Sequence, residues 1–94
     1  MPEISVVMPV YNGADFIGEA IESILSQTMP DYELIVVNDA SVDNTLDIVR
    51  SYQDSRIMVI DLPRKAGCYP ARNLGMRTAK GKYICVMEIG RAHV

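Results

Sequence analysis

Two hydrophobic periods alternate along this chain, and the alternation restricts its fold more than any other feature. Ile4 to Val10 (ISVVMPV) is a short apolar run rich in β-branched residues, the pattern of a buried strand. From there the spacing changes: apolar residues recur at Phe16, Ile17, Ala20, Ile21, Ile24 and Leu25, with Glu19, Glu22, Ser23 and Gln27 between them. That spacing of three to four predicts an amphipathic helix, with Asp15 placed to cap its start and Pro30 to stop any continuation. Tyr32 to Asn38 (YELIVVN) predicts a second strand. Ser41 is positioned to cap a second helix with Asp43 in its first turn, where an acid suits the helix dipole, and with Leu46, Ile48, Val49 and Tyr52 as apolar positions. Ile57 to Ile60 (IMVI) predicts a third strand and Tyr83 to Met87 (YICVM) a fourth. Between them Pro70 suits the first turn of a third helix, with Ala71, Leu74 and Thr78 or Ala79 inward and Gly81 beyond its end.

The order is therefore β-α-β-α-β-α-β. Strands that are apolar on both faces, separated by amphipathic helices, require a mostly parallel sheet covered on both sides. Right-handed crossovers then predict a doubly wound, Rossmann-like α/β sheet with strand order 3-2-1-4. In such sheets ligands bind at the carboxyl ends of the strands, near the point where strand order reverses. Here that point lies between the first and fourth strands. Pro9 to Gly13, Asn38 to Asp43 and whatever follows Met87 should converge on it.

Composition removes several classes of function. At 94 residues the chain allows one small domain, which buries about 60–65% of its unfolded surface. With 49% hydrophobic and 22% charged residues it is globular and not disordered. Its net charge is −3 and its basic residues form no run beyond Arg64-Lys65, a poor match for a nucleic-acid backbone. The apolar stretches are strand-sized, far below the roughly 20 residues that cross a bilayer. Met1-Pro2-Glu3 is acidic and leads directly into a strand, unlike a signal peptide. Cys68 and Cys85 form no CxxC and have no second pair, which fits reduced thiols in a cytosolic chain better than a disulfide or a metal site. The six methionines are scattered and read as core filler.

The loops carry the chemistry. The first β-α loop, PVYNGAD, holds one glycine and is neither GxGxxG nor a Walker loop. A diphosphate would find no backbone cradle there and would need a divalent cation held by carboxylates. In VVNDASVDNT the second strand stops at Asn38-Asp39 and side-chain oxygens follow at Ser41, Asp43 and Asn44. A single carboxylate, Asp39, beside the aromatic Tyr11 suits a base or a ribose better than a metal. The plainer alternative makes Asp39 and Ser41 turn and capping residues, Tyr11 a loop aromatic and Arg72 a solvated helix charge. Asp43 and Asn44 read as helix-start residues, and Asp61 at the end of the third strand reads as solvated.

Taken together, ISVVMPVYNG, AIESILSQT, YELIVVNDASVDNT, the ARNLG of Ala71 to Gly75, and AKGKYI resemble the N-terminal half of glycosyltransferase family 2, from about Ile4 to Met87. The resemblance implies a GT-A fold and sugar transfer from a nucleotide-diphospho-sugar, UDP-linked, to a hydroxyl acceptor with inversion. It also implies a divalent cation (Mg2+ or Mn2+) in the complete enzyme and a part in cell wall or polysaccharide biosynthesis. The expected location is cytoplasmic, at the cytoplasmic face of the membrane for the complete enzyme. Carried over by position, Pro9 and Tyr11 wall the nucleotide site, Asp39 accepts a hydrogen bond from the ring N–H of uracil, and Arg72 lies near the nucleotide. A carboxylate is acceptor-only, so it selects a base edge that presents a donor. The chain departs from the family at Asn38, where an Asp is usual, and at Cys68-Tyr69-Pro70, where small residues are commoner.

After Met87 the family continues with Asp-x-Asp, the cation-binding acids, whereas this chain reads Glu88-Ile89-Gly90-Arg91-Ala92-His93-Val94. Glu88 thus stands where the first acid belongs. Residues 1–87 are read as the nucleotide-sugar-binding part of a truncated GT-A domain and 88–94 as a non-native tail, with no catalytic residue in the chain and no transfer by it alone. Reverse-translated as GAG ATC GGA AGA GCA CAC GTC, the tail reproduces the start of a common short-read sequencing adapter after one extra G. The alternative from another class is a non-catalytic nucleotide-binding module or a receiver-like signalling module phosphorylated on Asp61. A receiver needs paired acids after its first strand, and Val10-Tyr11-Asn12 offers none.

Overall fold

The computed structural model describes residues 2–28 and 31–88. Pro30, expected to stop the first helix, and Ile89 to Val94 of the tail lie outside the described residues. Four parallel strands, β1 (Ile4–Val10), β2 (Tyr32–Asn38), β3 (Ile57–Asp61) and β4 (Tyr83–Val86), form one sheet in the order β3-β2-β1-β4. The helices between them are α1 (Ala14–Leu25), α2 (Thr45–Arg50) and α3 (Cys68–Thr78). The predicted order and topology are those observed.

Alternation along each strand divides the core into two layers. Val6, Met8 and Val10 of β1 and Leu34 and Val36 of β2 pack with Ile17, Ile21 and Ile24 of α1 and Val49 of α2. The intervening Ile35 and Val37 pack on the other face with Ala71 of α3. Gly75 sets how closely α3 approaches the sheet: a Cβ there would lie 2.4 Å from Cγ1 of Val7 and 3.2 Å from Cγ2 of Val37. At the amino end, the Ser5 hydroxyl donates to the Glu33 carboxylate (2.6 Å), which also accepts the Lys80 N–H (2.7 Å). The Gly81 N–H donates to the Ser5 hydroxyl oxygen at 2.7 Å, so the turn into β4 is pinned to both central strands. β4 itself is exposed, with Tyr83 58% and Ile84 44% accessible.

Three local expectations are corrected. The N-cap of α1 is Gly13, with no side-chain capping bond, and Asp15 sits in the first turn. The N-cap of α2 is Asn44, and the Ser41 hydroxyl is instead engaged with the Asn12 N–H and the Asn38 side chain. Phe16 points outward, 60% exposed, because α1 turns its face toward Ile17, Ile21 and Ile24.

Candidate functional site

The strand register aligns the carboxyl ends. Val10 stands opposite Asn38, and Asn38 opposite Asp61. One step further, the Asp39 N–H donates to the Val10 carbonyl (2.8 Å) and the Met87 N–H to the Val7 carbonyl (2.8 Å). Tyr11, Asp39 and Glu88 therefore leave the sheet at the same edge, two of them flanking the reversal of strand order between β1 and β4.

Each of the first two loops contains a non-glycine residue in the left-handed region, Asn12 (φ 53°) and Ala40 (φ 58°). Asparagine tolerates that conformation, whereas for alanine it costs roughly 1 kcal/mol. A polar stitch between the loops holds both turns. Asn12 receives the Val42 N–H on its side-chain oxygen (2.8 Å) and gives its own N–H to the Ser41 hydroxyl (2.9 Å). Ser41 donates to the Asn38 side-chain oxygen at 2.6 Å, and the Asn38 amide donates to the Asp61 carboxylate at 3.0 Å. Asp43 accepts the Ala14 N–H (3.2 Å) and both the N–H and hydroxyl of Thr45. Partial burial pushes the Asp43 carboxyl up, but these bonds outweigh it and hold the group below the usual carboxylate value. Asn44 is the N-cap of α2 as a helix-start residue should be, whereas Asp43 lies just ahead of the cap and not in the first turn, which carries Asp47.

Asp39 is 2% exposed, and its carboxylate turns toward the loop between β3 and α3. One oxygen accepts the Ala66 N–H (2.7 Å) and the other the Gly67 N–H (3.0 Å). The acid at the end of VVND thus orders a loop that passes over the site. Gly67, at φ 101°, is the N-cap of α3 and reaches a conformation that side chains disfavour. Tyr11 is half-buried, with the Lys65 ammonium 3.9 Å from its ring centroid. Pro9 is buried inside β1 opposite Val37. Arg72 sits on α3 with its guanidinium 4.9 Å from the Tyr69 ring centroid, and its Nε is buried without a hydrogen-bond partner among the described residues. It is not the freely solvated charge of the plainer reading.

Asp61 is exposed, as expected, but it is not merely solvated: it accepts from Asn38 and meets Arg50 at 3.8 Å. Glu88 is half-buried at the end of β4 and accepts from the Cys68 thiol at 3.4 Å. Among the described residues no group of three or more His, Cys, Asp or Glu side chains could hold a metal ion. These residues do not by themselves fit the divalent cation. Neither cysteine forms a disulfide among the described residues. Sequence reasoning missed Asn12 and Lys65. The first carried a signal, an asparagine in a tight β-α turn; a single lysine in a polar loop carries none.

An open parallel sheet in the order β3-β2-β1-β4 with helices on both faces defines a doubly wound α/β domain. Residues 5–88 match Glycosyl transferase family 2, and the chain belongs to that family. Among curated relatives it is 39% identical over 88 residues to the Escherichia coli UDP-Glc:alpha-D-GlcNAc-diphosphoundecaprenol beta-1,3-glucosyltransferase WfaP, covering 94% of this chain and 35% of WfaP. Among solved structures it superposes on S. aureus TarS 1-349 in complex with UDP with a TM-score of 0.87 at 31% identity, covering 93% of this chain and 27% of TarS 1-349. The mannosyltransferase PcManGT from Pyrobaculum calidifontis, in complex with GDP-Man and Mn2+, gives a TM-score of 0.85 at 29% identity, covering 93% of this chain and 27% of PcManGT. The chain spans 25–35% of the length of the curated relatives it matches first. Family membership removes the receiver-like alternative. No helix among the described residues is long and apolar enough to cross a membrane.

Proposed function

We propose that this chain is the nucleotide-binding part of a glycosyltransferase that moves a sugar from a UDP-linked donor to a hydroxyl acceptor with inversion. The observation that carries the reading is the placement of Asp39: a buried carboxylate beside Tyr11, at the edge where strand order reverses. Its two loop contacts leave acceptor capacity, since a carboxylate offers about four lone-pair sites. TarS with bound UDP supports the choice of base, and the donor named for WfaP supports a UDP-sugar. WfaP's diphosphoundecaprenol-linked acceptor supports a lipid-linked saccharide as the acceptor class, and with it work on cell-envelope polysaccharide. In this reading Pro9 and Tyr11 form the wall of the base and ribose, Asp39 reads the base N–H, and Arg72 lies beside the nucleotide. The residues of 1–87 bind and orient the donor and none performs the chemistry. Mg2+ or Mn2+ would act in the complete enzyme, as the Mn2+ bound to PcManGT suggests, and the described residues gather no group of acids that could hold it.

Calorimetry on the complete gene product that carries this chain tests the proposal. UDP should bind more tightly than ADP. Asp39→Asn, which turns a donor toward the base and toward one loop N–H, should weaken UDP about ten- to a hundredfold, the loss of one charge-assisted bond. Undiminished UDP binding by Asp39→Asn would leave Asp39 as a loop clamp alone.

A further inference from the structure

The acids that follow the strands at this edge are already engaged: Asp39 is buried, and the exposed Asp43 and Asp61 are tied to their neighbours. Asp39 holds the backbone of residues 66 and 67, Asp61 binds Asn38 and Arg50, and Asp43 binds Ala14 and Thr45. Lys65 has no ion pair among the described residues, where the salt bridges are Arg50–Asp61 and Arg56–Asp54. Its ammonium rests instead on the Tyr11 ring, 3.9 Å from the centroid, and the residue is exposed. At an exposed site such a cation–π contact is weaker than a charge-assisted bond to a phosphate oxygen.

The position of this cation is fixed by its neighbours. The two residues after Lys65 are the ones Asp39 grips, so the residue is anchored from one side by β2 and touches β1 through its side chain. Three consecutive residues, 65 to 67, therefore contact both side chains proposed to meet the nucleoside. A base and ribose seated against Tyr11 and Asp39 must project its diphosphate from the same edge. The first β-α loop has one glycine and offers no backbone cradle for that charge.

We propose that Lys65 is a donor-binding residue whose ammonium leaves the Tyr11 ring to contact the diphosphate of the nucleotide. The inference rests on the nucleotide-sugar reading and adds a division of labour to it: Asp39 reads the base and orders the loop, and the loop's lysine reads the charge. No bond is made or broken, and the lysine moves by rotating its own side chain while the backbone stays held.

Titrating uridine and UDP separately into the complete gene product and its Lys65→Gln and Lys65→Arg variants tests this. Lys65→Gln should weaken UDP about five- to twentyfold, as loss of one exposed charge-assisted contact, and change uridine less than about twofold. Lys65→Arg should recover most of the UDP affinity, and the salt dependence of UDP binding should be shallower in Lys65→Gln than in wild type. The side chain is exposed, so coincident thermal melts are expected for all three proteins. Equal UDP affinity in wild type and Lys65→Gln overturns the proposal. An equal fractional loss for uridine and UDP also overturns it, because the lysine would then act on the Tyr11 wall. Failure of the wild type to bind UDP defeats the nucleotide-sugar reading itself, a result distinct from either of these.

Discussion

Individual carboxylates in this chain differ in what they are attached to, and that decides what each can do. Asp39 binds the loop at residues 66 and 67, Asp43 the first residues of α1 and α2, and Asp61 both Asn38 of β2 and Arg50 of α2, so each ties two segments at the carboxyl edge together. Asp54 is engaged within its own turn: its carboxylate accepts from Nε (2.9 Å) and Nη2 (2.7 Å) of Arg56 and from the Arg56 N–H (2.9 Å). The Arg56 side-chain bonds are the main reason its pKa falls to about 2. The folded value is depressed below the unfolded one, so the stabilisation is complete above the ordinary aspartate value of about 3.9 and is lost as pH falls toward about 2. Arg56→Gln should move the Asp54 titration, followed by carboxyl carbon NMR, back toward the ordinary value. An unchanged midpoint would show that the turn's backbone N–H is sufficient. The pair is solvent-exposed, so its effect on overall stability should be small.

At the scale of elements, the site depends on α3 lying flat on the sheet, since α3 carries Arg72 and begins where the loop held by Asp39 ends. Gly75 permits that contact. Val7 is fully buried and has no room to retreat from a Cβ at 2.4 Å, and its β-branched side chain has few rotamers to choose from. Gly75→Ala should therefore destabilise by about 1–3 kcal/mol through overpacking, despite the higher helix propensity of alanine. Chemical denaturation of the complete gene product measures it. A neutral or stabilising result would mean that α3 can shift away from β1, and UDP affinity should then change with it. The ARNLG segment thus carries both the proposed nucleotide contact, Arg72, and the sheet contact at Gly75.

For the whole molecule, the described residues form one layer packed by α1 and α2, one packed by α3, and an exposed edge at β4. Tyr83 and Ile84 are accessible there although their β-branched and aromatic character suits a covered strand. Glu88 follows directly, the position at which the family's acids are expected to begin. If the tail derives from adapter sequence joined after one genuine base, codon 88 of the source gene begins with G. Resequencing the source locus is then expected to read GAT or GAC, an Asp, with the reading frame continuing. A native frame that encodes Glu88 to Val94 followed by a stop would refute it.

The alternation of strand and helix periods was enough to determine the element order, the parallel sheet and the strand order, because burial on both faces and right-handed crossovers admit few other solutions. The same sequence put Tyr11 and Asp39 just past the ends of adjacent strands, since strand ends are local features. Helix caps were less legible: Asp15 and Ser41 are good capping residues, but the caps fell to Gly13 and Asn44 because the loops are tied to each other by Asn12, Ser41 and Asp43. Contacts such as Asp39 with residues 66 and 67, Lys65 with Tyr11, and Gly75 with Val7 join positions 27 to 68 residues apart. No local pattern encodes them. They exist because the sheet brings those segments together, and the direction in which a carboxylate points is settled by which donors it then meets.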